Sequence, residues 1–230
     1  MGELPDQFPC TVTNWEYIYD LCRSVADDVR AAAFEPDVVV ALARGGWFAG
    51  RCLCDFLGLD DLASLKIEHY VGTAQQSDEP EIRYPLADGA VEGKDVLVVD
   101  DIADTGQSIR TAADCVAERD PTSVRTATLQ LLDTSDHRPD FVGERLDEWT
   151  WVVYPWNFIE DMIELVGGVM EKSDRERHSV DDIRSLLRSY YDVHPTALEI
   201  AQPDRLDEVM AEMDRRGQVT EAGDRWRLAE

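Results

Sequence analysis

The apolar positions of this chain fall into short blocks that alternate between a helical and a strand period. A helical pattern over residues 14–33 gives way at Pro36 to Asp37 and the apolar run VVVALA, a short strand by length and composition. Arg44-Gly45-Gly46 follows, then WFAGRCLCDFLGL, a second helical pattern. Lys66-Ile67-Glu68-His69-Tyr70 and IRYPL predict two further strands, separated by the polar, turn-rich GTAQQSDEPE of residues 72–81, a candidate mobile lid. VLVVD at 96–100 is the strongest strand, uniformly apolar as in a parallel sheet covered on both faces. A helix over 105–116 and a strand over 124–132 follow it. This βαβ alternation predicts an α/β fold built on an open, mostly parallel sheet with right-handed crossovers.

The pattern changes after residue 170. A charged stretch, EKSDRERH at 171–178, reads as a linker or an exposed helix end. Beyond it come the helical patterns SVDDIRSLLRSYY and PDRLDEVMAEMDRRG, the second closing on Gly217 as a C-cap. A turn at Ala222-Gly223-Asp224 then joins two short strand candidates. The expected division is a core at 1–170 and a small winged-helix-like α+β module at 178–230.

Composition narrows the class. The chain has 230 residues, 44% of them hydrophobic, enough for one good core and an appendage. Its 48 acids against 22 Lys and Arg give a net charge of −26, with lysine only at 66, 94 and 172. Six tryptophans and regular apolar strands argue for a folded acidic surface rather than disorder. Such a surface fits a halophilic setting, where screening falls to about 3 Å at 1 M salt. The same charge opposes non-specific nucleic-acid binding. No apolar run reaches a membrane span of ~18 residues, and MGELPDQFPC lacks the regions of a signal peptide, so a cytoplasmic protein is expected. Cys10, Cys22, Cys52, Cys54 and Cys115 lack paired metal spacing and read as reduced, packed thiols.

The chemistry concentrates in VLVVDDIADTGQS, where a buried strand ends in Asp100 and Asp101, then Asp104-Thr105-Gly106 and Ser108. Acids at a strand mouth can hold cations or sugar hydroxyls. Gly106 permits close backbone approach, and amides feeding a helix N-terminus cradle an anion. An anion site beside paired acids suits a sugar phosphate such as ribose 5-phosphate. The plain alternative is an N-capping Asp and Thr, which leaves the double aspartate unexplained. Both glycine-bearing turns end strands, where ligands of open α/β sheets bind.

VLVVDDIADTGQS resembles the signature of type I phosphoribosyltransferases, and ALARGG resembles that family's pyrophosphate loop. With WVVYPW near the end of the core, three motifs stand in order, and the overall likeness is to archaeal xanthine-guanine and hypoxanthine phosphoribosyltransferases over residues 13–161. The resemblance implies a phosphoribosyltransferase core with a small hood, binding phosphoribosyl pyrophosphate and a nucleobase, with Mg²⁺ held mostly by substrate oxygens and water. Asp100 and Asp101 would hold the ribose hydroxyls and, indirectly, the metal. The 5′-phosphate would meet Ala103, Asp104, Thr105, Gly106, Gln107 and Ser108. Arg44 and Gly45 would meet the pyrophosphate, with a non-proline cis peptide at Ala43–Arg44 or Arg44–Gly45. Asp104 would be the general base, Trp151 would stack on the base and Val152 would read its edge. Trp149 and Trp156 are expected to be packing residues. The family also implies a homodimer.

Two positions depart from the family. Relatives carry a lysine in a Tyr-Lys-Pro context on the strand corresponding to 124–132, where it contacts the purine 6-oxo group. Leu132 and Asp133 are assigned to those positions here, and leucine forfeits a charge-assisted hydrogen bond worth ~1.5–3 kcal/mol. Asn157 stands where relatives place an acid near the metal, with Glu160 and Asp161 the nearest acids. The leading expectation is nucleotide salvage by phosphoribosyl transfer to a purine or related base. The alternative is a regulator that senses the donor and binds nucleic acid through the tail, whose arginines include Arg184, Arg188, Arg215, Arg216, Arg225 and Arg227. Acids outnumber arginines there, so a packing or dimerisation role is favoured over DNA binding.

Overall fold

The computed structural model describes residues 6–71 and 76–229. The elements run β1 (Cys10–Val12), α1 (Trp15–Ala31), β2 (Val38–Ala43), α2 (Gly46–Leu57), β3 (Leu62–Val71), β4 (Gln76–Tyr84), β5 (Asp95–Ala103), α3 (Gln107–Ala117) and β6 (Ser123–Leu132). They continue as β7 (Phe141–Leu146), β8 (Trp151–Val153), α4 (Phe158–Glu171), α5 (Val180–Tyr191), α6 (Pro195–Ala201), α7 (Arg205–Arg215), β9 (Val219–Ala222) and β10 (Arg225–Leu228). Two compact units emerge, one spanning Glu16–Trp149 and the other joining the chain up to Trp15 with Thr150 onward. The sequence boundary at 170–178 falls inside the second unit.

The first unit is a six-stranded sheet in the order β4-β3-β2-β5-β6-β7, parallel except for the β3–β4 pair. The apolar runs of β2 and β5 become strands because helices cover both faces. On one face Val38, Val40, Leu42, Val96 and Val98 pack with Ile109, Ala112 and Val116 of α3. On the other, α2 lies so close to β2 that a Cβ on Gly50 would sit 2.8 Å from the Ala41 Cβ. β2 leads through α2 outward to β3, while β5 leads through α3 outward to β6. The chain thus turns opposite ways from two adjacent strands, which opens a crevice at their carboxyl ends.

The expected lid differs in part. Residues 72–75 lie outside the described residues, but Gln76–Tyr84 is strand β4, with Pro80 opposite His69. A sheet edge needs no second ladder, so Pro and a polar sequence are tolerated there, and that polarity masks the strand in the sequence.

In the second unit β1 and β8 pair in parallel, and β9 and β10 form an antiparallel hairpin. The periodicity reading left α4 and α6 unassigned. Their residues Phe158, Met162, Val166 and Leu198 share one apolar cluster with Ile183, Leu187, Val209, Met210 and Val219. The C-terminal extension is therefore helices plus a β-hairpin packed against α4. Ser179 caps α5 reciprocally: its hydroxyl accepts from Asp182 N at 3.1 Å, while Asp182 accepts from Ser179 N at 3.0 Å. Arg175 and Arg225 pair with the same carboxylate at 2.5 and 3.1 Å.

His178 pairs with Trp226 through both backbone groups, at 2.8 and 2.7 Å. Its ring is 1% exposed, and neither ring nitrogen has a hydrogen-bond partner. Burial depresses its pKa, with Arg175 and Arg225 adding to that and Asp182 opposing it. The bonds from Ser179, then the two arginines, hold the Asp182 carboxyl down at about 2.

The signs separate two pH windows. A histidine with a depressed folded pKa leaves the unfolded chain binding more protons, so stability falls as pH drops below about 6.5. A depressed aspartate contributes stability that is present above about 4 and lost as pH falls toward 2. Thermal melts of the full chain from pH 8 to pH 3 will show both losses, and His178→Leu will remove the upper one alone. Ser179→Ala will cost about 1 kcal/mol at neutral pH by removing the cap.

Candidate active site

The crevice is lined by the two segments that leave β2 and β5. The Ala43–Arg44 peptide is cis, at one of the two positions expected. Gly45 follows with an ordinary φ of −62°, so space and not backbone angle demands glycine there. A Cβ on Gly45 would lie 1.7 Å from Asp101 Oδ2. One on Gly46 would lie 2.7 Å from the Val99 carbonyl and 3.3 Å from Asp100 Oδ1. The loop after β2 therefore rests its backbone on the two acids that end β5, and the motifs read separately from the sequence form one surface.

The acids are fixed by their own strand. Asp101 N donates to Asp100 Oδ1 at 3.0 Å, and Ile102 N donates to Asp101 Oδ1 at 2.9 Å. Burial, and then the Asp101 carboxylate, raise the pKa of Asp100 well above the carboxylate range. Such a pair holds oxygen ligands poorly in its own company but well against donors such as vicinal hydroxyls or a hydrated cation.

Beyond them Gly106 turns the chain with a φ of +76° and starts α3 without a side-chain cap. Gln107 N reaches only the Thr105 hydroxyl, at 3.4 Å. The first-turn amides of α3, with Thr105 and Ser108, form the positive end of an eleven-residue helix, the place where an anion binds. Ala103 is buried as the last residue of β5, so its backbone is what it can offer.

The loop after β6, which the sequence reading did not assign to the site, closes the turn from the other side. A Cβ on Gly106 would meet the Ser135 hydroxyl and the His137 Cβ, each at 2.6 Å. Asp136 N donates to the Thr105 carbonyl at 3.2 Å, and the Thr134 hydroxyl donates toward Asp104 O and Oδ1, at 3.4 Å each. The polar run DTSDHRP directly after an apolar strand was the available signal.

The expected base-binding residues belong to different units. Leu132 ends β6 with 2% exposure, its side chain packed in the core and not offered to a ligand. The nearest cation on the following loop is Arg138, half exposed and 3.7 Å from Asp133. Trp151 and Val152 belong to the second unit. Trp151 lies 6.3 Å from the Phe8 ring and donates its backbone N–H to Pro9, while Val152 pairs in register with Thr11. Trp156 stacks on Tyr154 at 4.7 Å and 5°, a packing contact. Asn157 is the N-cap residue of α4, with Glu160 and Asp161 in its first turn.

Among the described residues no three His, Cys, Asp or Glu side chains gather to hold a metal ion. The Asp100–Asp101 oxygens fit a hard cation that keeps most of its waters and takes its remaining ligands from a bound molecule, as Mg²⁺ does.

Comparison with known proteins agrees with this geometry. The family model of the phosphoribosyl transferase domain matches residues 11–158. The hypoxanthine-guanine phosphoribosyltransferase of Rattus norvegicus is 37% identical over 76 residues, 32% of this chain and only 35% of that protein. The xanthine-guanine phosphoribosyltransferase of Ruegeria sp. (strain TM1040) is 24% identical over 160 residues, 66% of this chain and 87% of its own. Among solved structures, purine phosphoribosyltransferase from Pyrococcus horikoshii Ot3 superposes with a TM-score of 0.57 at 26% identity, covering 64% of this chain and 93% of that one. The Helicobacter pylori xanthine-guanine-hypoxanthine phosphoribosyltransferase shares the fold, with a TM-score of 0.54 at 16% identity and coverage of 68% and 98%. With the glycine loop seated on paired acids and an uncapped helix beside them, the chain belongs to the phosphoribosyl transferase domain family.

Proposed function

We propose that this chain transfers the phosphoribosyl group of phosphoribosyl pyrophosphate to a 6-oxopurine. The observation that supports the donor half is the close approach of Gly45 and Gly46 to Asp101 and Asp100, as a loop for pyrophosphate and a pair for ribose hydroxyls would require. Asp100 and Asp101 accept from the ribose hydroxyls. The backbone of Ala103 to Ser108 and the hydroxyls of Thr105 and Ser108 hold the 5′-phosphate, and Arg44 with the Gly45 backbone holds the pyrophosphate. Asp100 and Asp101 would hold Mg²⁺ through water and donor oxygens, and the ion would neutralise charge on the pyrophosphate.

In the reaction the bond from C1′ to the pyrophosphate oxygen breaks, its electron pair leaving with pyrophosphate, while a purine nitrogen forms the new bond to C1′. The proton on that nitrogen passes to the Asp104 carboxylate.

For the acceptor, the names of the relatives and one residue support a purine with an oxo group. Leu132 is enclosed, whereas His137-Arg138-Pro139 supplies a cation before a proline, as in the Tyr-Lys-Pro context. Its loop is anchored to the donor turn through Gly106 and Thr105. Arg138 therefore takes the role that the lysine has in relatives: its guanidinium donates to the oxo group, with its loose contact to Asp133 given up on binding.

The tail offers little to a phosphate backbone. Arg205 pairs with Glu208, Arg215 and Arg216 with Glu212, and Arg184 with Asp181, at 2.6 to 3.1 Å, while α7 exposes Asp207, Glu208 and Asp214. This favours a packing role over a nucleic-acid-binding regulator.

A panel of purines and pyrimidines with donor, Mg²⁺ and high salt is expected to release pyrophosphate with hypoxanthine, guanine or xanthine; silence across the panel overturns the proposal. Arg138→Leu will raise the oxopurine KM about ten- to a hundredfold, the loss of one charged hydrogen bond of ~1.5–3 kcal/mol, with donor KM unchanged. Gly45→Ala will displace the Asp101 carboxylate and raise donor KM by about tenfold or more at unchanged melting temperature, on the same magnitude.

A further inference from the structure

Thr134 lies outside every motif recognised in the sequence, yet its hydroxyl touches the residue on which proton transfer depends. It stands 3.4 Å from both the carbonyl oxygen and Oδ1 of Asp104. One hydroxyl proton cannot serve both acceptors fully, and both distances exceed the ~2.7–2.8 Å of a committed hydroxyl bond. This is the geometry of a donor shared between a backbone and a carboxylate, of the kind that tightens on one acceptor when a ligand is bound.

The position of Thr134 is imposed by its surroundings. Ser135 N donates to the Leu132 carbonyl at 3.0 Å, closing the turn in which Thr134 sits. The buried Ser135 hydroxyl donates to the His137 carbonyl at 2.8 Å. Asp136 N holds the Thr105 carbonyl, and Gly106 lets the two turns meet at a distance no other residue allows. The loop after β6 is thus braced by two bonds of its own and joined to the donor turn by one backbone bond and the close approach at Gly106, and this arrangement leaves Thr134 facing Asp104.

We infer that Thr134 is a positioning residue whose hydroxyl aims the Asp104 carboxylate at the incoming base. The inference rests on the transferase reading above. Thr134 touches no reacting atom. It fixes the rotation of the carboxylate while leaving the other oxygen, Oδ2, free to take the proton. A carboxylate without that anchor samples rotations in which neither oxygen points at the acceptor nitrogen. The loss then falls on turnover and not on donor binding.

The test uses the full chain and two near-isosteric variants, Thr134→Val and Thr134→Ser. With the best base of the panel, Thr134→Val is expected to lower kcat about tenfold, a fraction of the 10²–10⁴ that a positioned base contributes. Donor KM and melting temperature stay at wild-type values, because Thr134 is exposed and outside the donor contacts, and Thr134→Ser restores kcat. An unchanged kcat in Thr134→Val, or a loss that serine does not restore, overturns the inference. A second readout is independent of turnover. In protein labelled with carbon-13 at its aspartate carboxyls and held at one pH, Thr134→Val is expected to shift the Asp104 carboxyl resonance and Thr134→Ser to return it. An unshifted resonance overturns the inference while the transferase reading stands. A shifted resonance in a protein that releases no pyrophosphate supports the contact and overturns the transferase reading.

Discussion

Two glycines and two aspartates share one small volume at the carboxyl ends of β2 and β5, and the rest of the site depends on that contact. A Cβ at Gly45 would overlap the Asp101 carboxylate, and one at Gly46 would press on the Val99 carbonyl. The contact exists because adjacent strands send their helices to opposite faces of the sheet, which leaves nothing else to fill the gap between their ends. The strands can be adjacent because β2 and the Val96–Val99 run of β5 are apolar and buried. Core packing and ligand geometry are the same constraint here, seen from the two ends of β2 and β5.

Placing acids at that point works against stability. Asp100 is partly buried beside Asp101, and desolvation, then the Asp101 carboxylate, raises its pKa well above the ordinary value. Above the unfolded carboxylate pKa, the folded protein holds a proton that the unfolded chain has released, so this residue lowers stability at neutral pH. The neighbouring backbone limits the effect: Asp101 N and Ile102 N each donate to a carboxylate oxygen. A strained electrostatic pair at the mouth of an otherwise consistent fold marks a place where binding outweighs stability.

The C-terminal residues answer to another requirement. α4 carries apolar residues that need a partner, and α5, α6, α7 and the hairpin supply it in a single cluster. Their arginines are largely committed to neighbouring acids, in keeping with a surface of net charge −26 that has few cations to spare. His178 is the exception to local consistency there, a buried ring without partners at the start of the extension.

By itself the sequence determined the parallel α/β core, the two glycine turns at its strand ends and the identity of the acids beside them, because strand composition, helix period and glycine turns are local properties that each stretch carries with it. It disclosed only the end of β4, through IRYPL, since an edge strand needs no apolar face, and neither α4 nor α6, whose burial depends on one another. The sequence numbering also suggested Leu132 for the acceptor, and the register of β6 encloses that side chain, leaving Arg138 on the loop beyond. Only the tertiary structure brought Gly45 to Asp101, Thr134 to Asp104, and the buried Gln130 of β6 to Tyr17 and Glu144, at 3.0 and 2.9 Å. Those contacts join residues from about 14 to more than 110 positions apart. They are set by strand order and helix packing, which no single stretch of the chain contains.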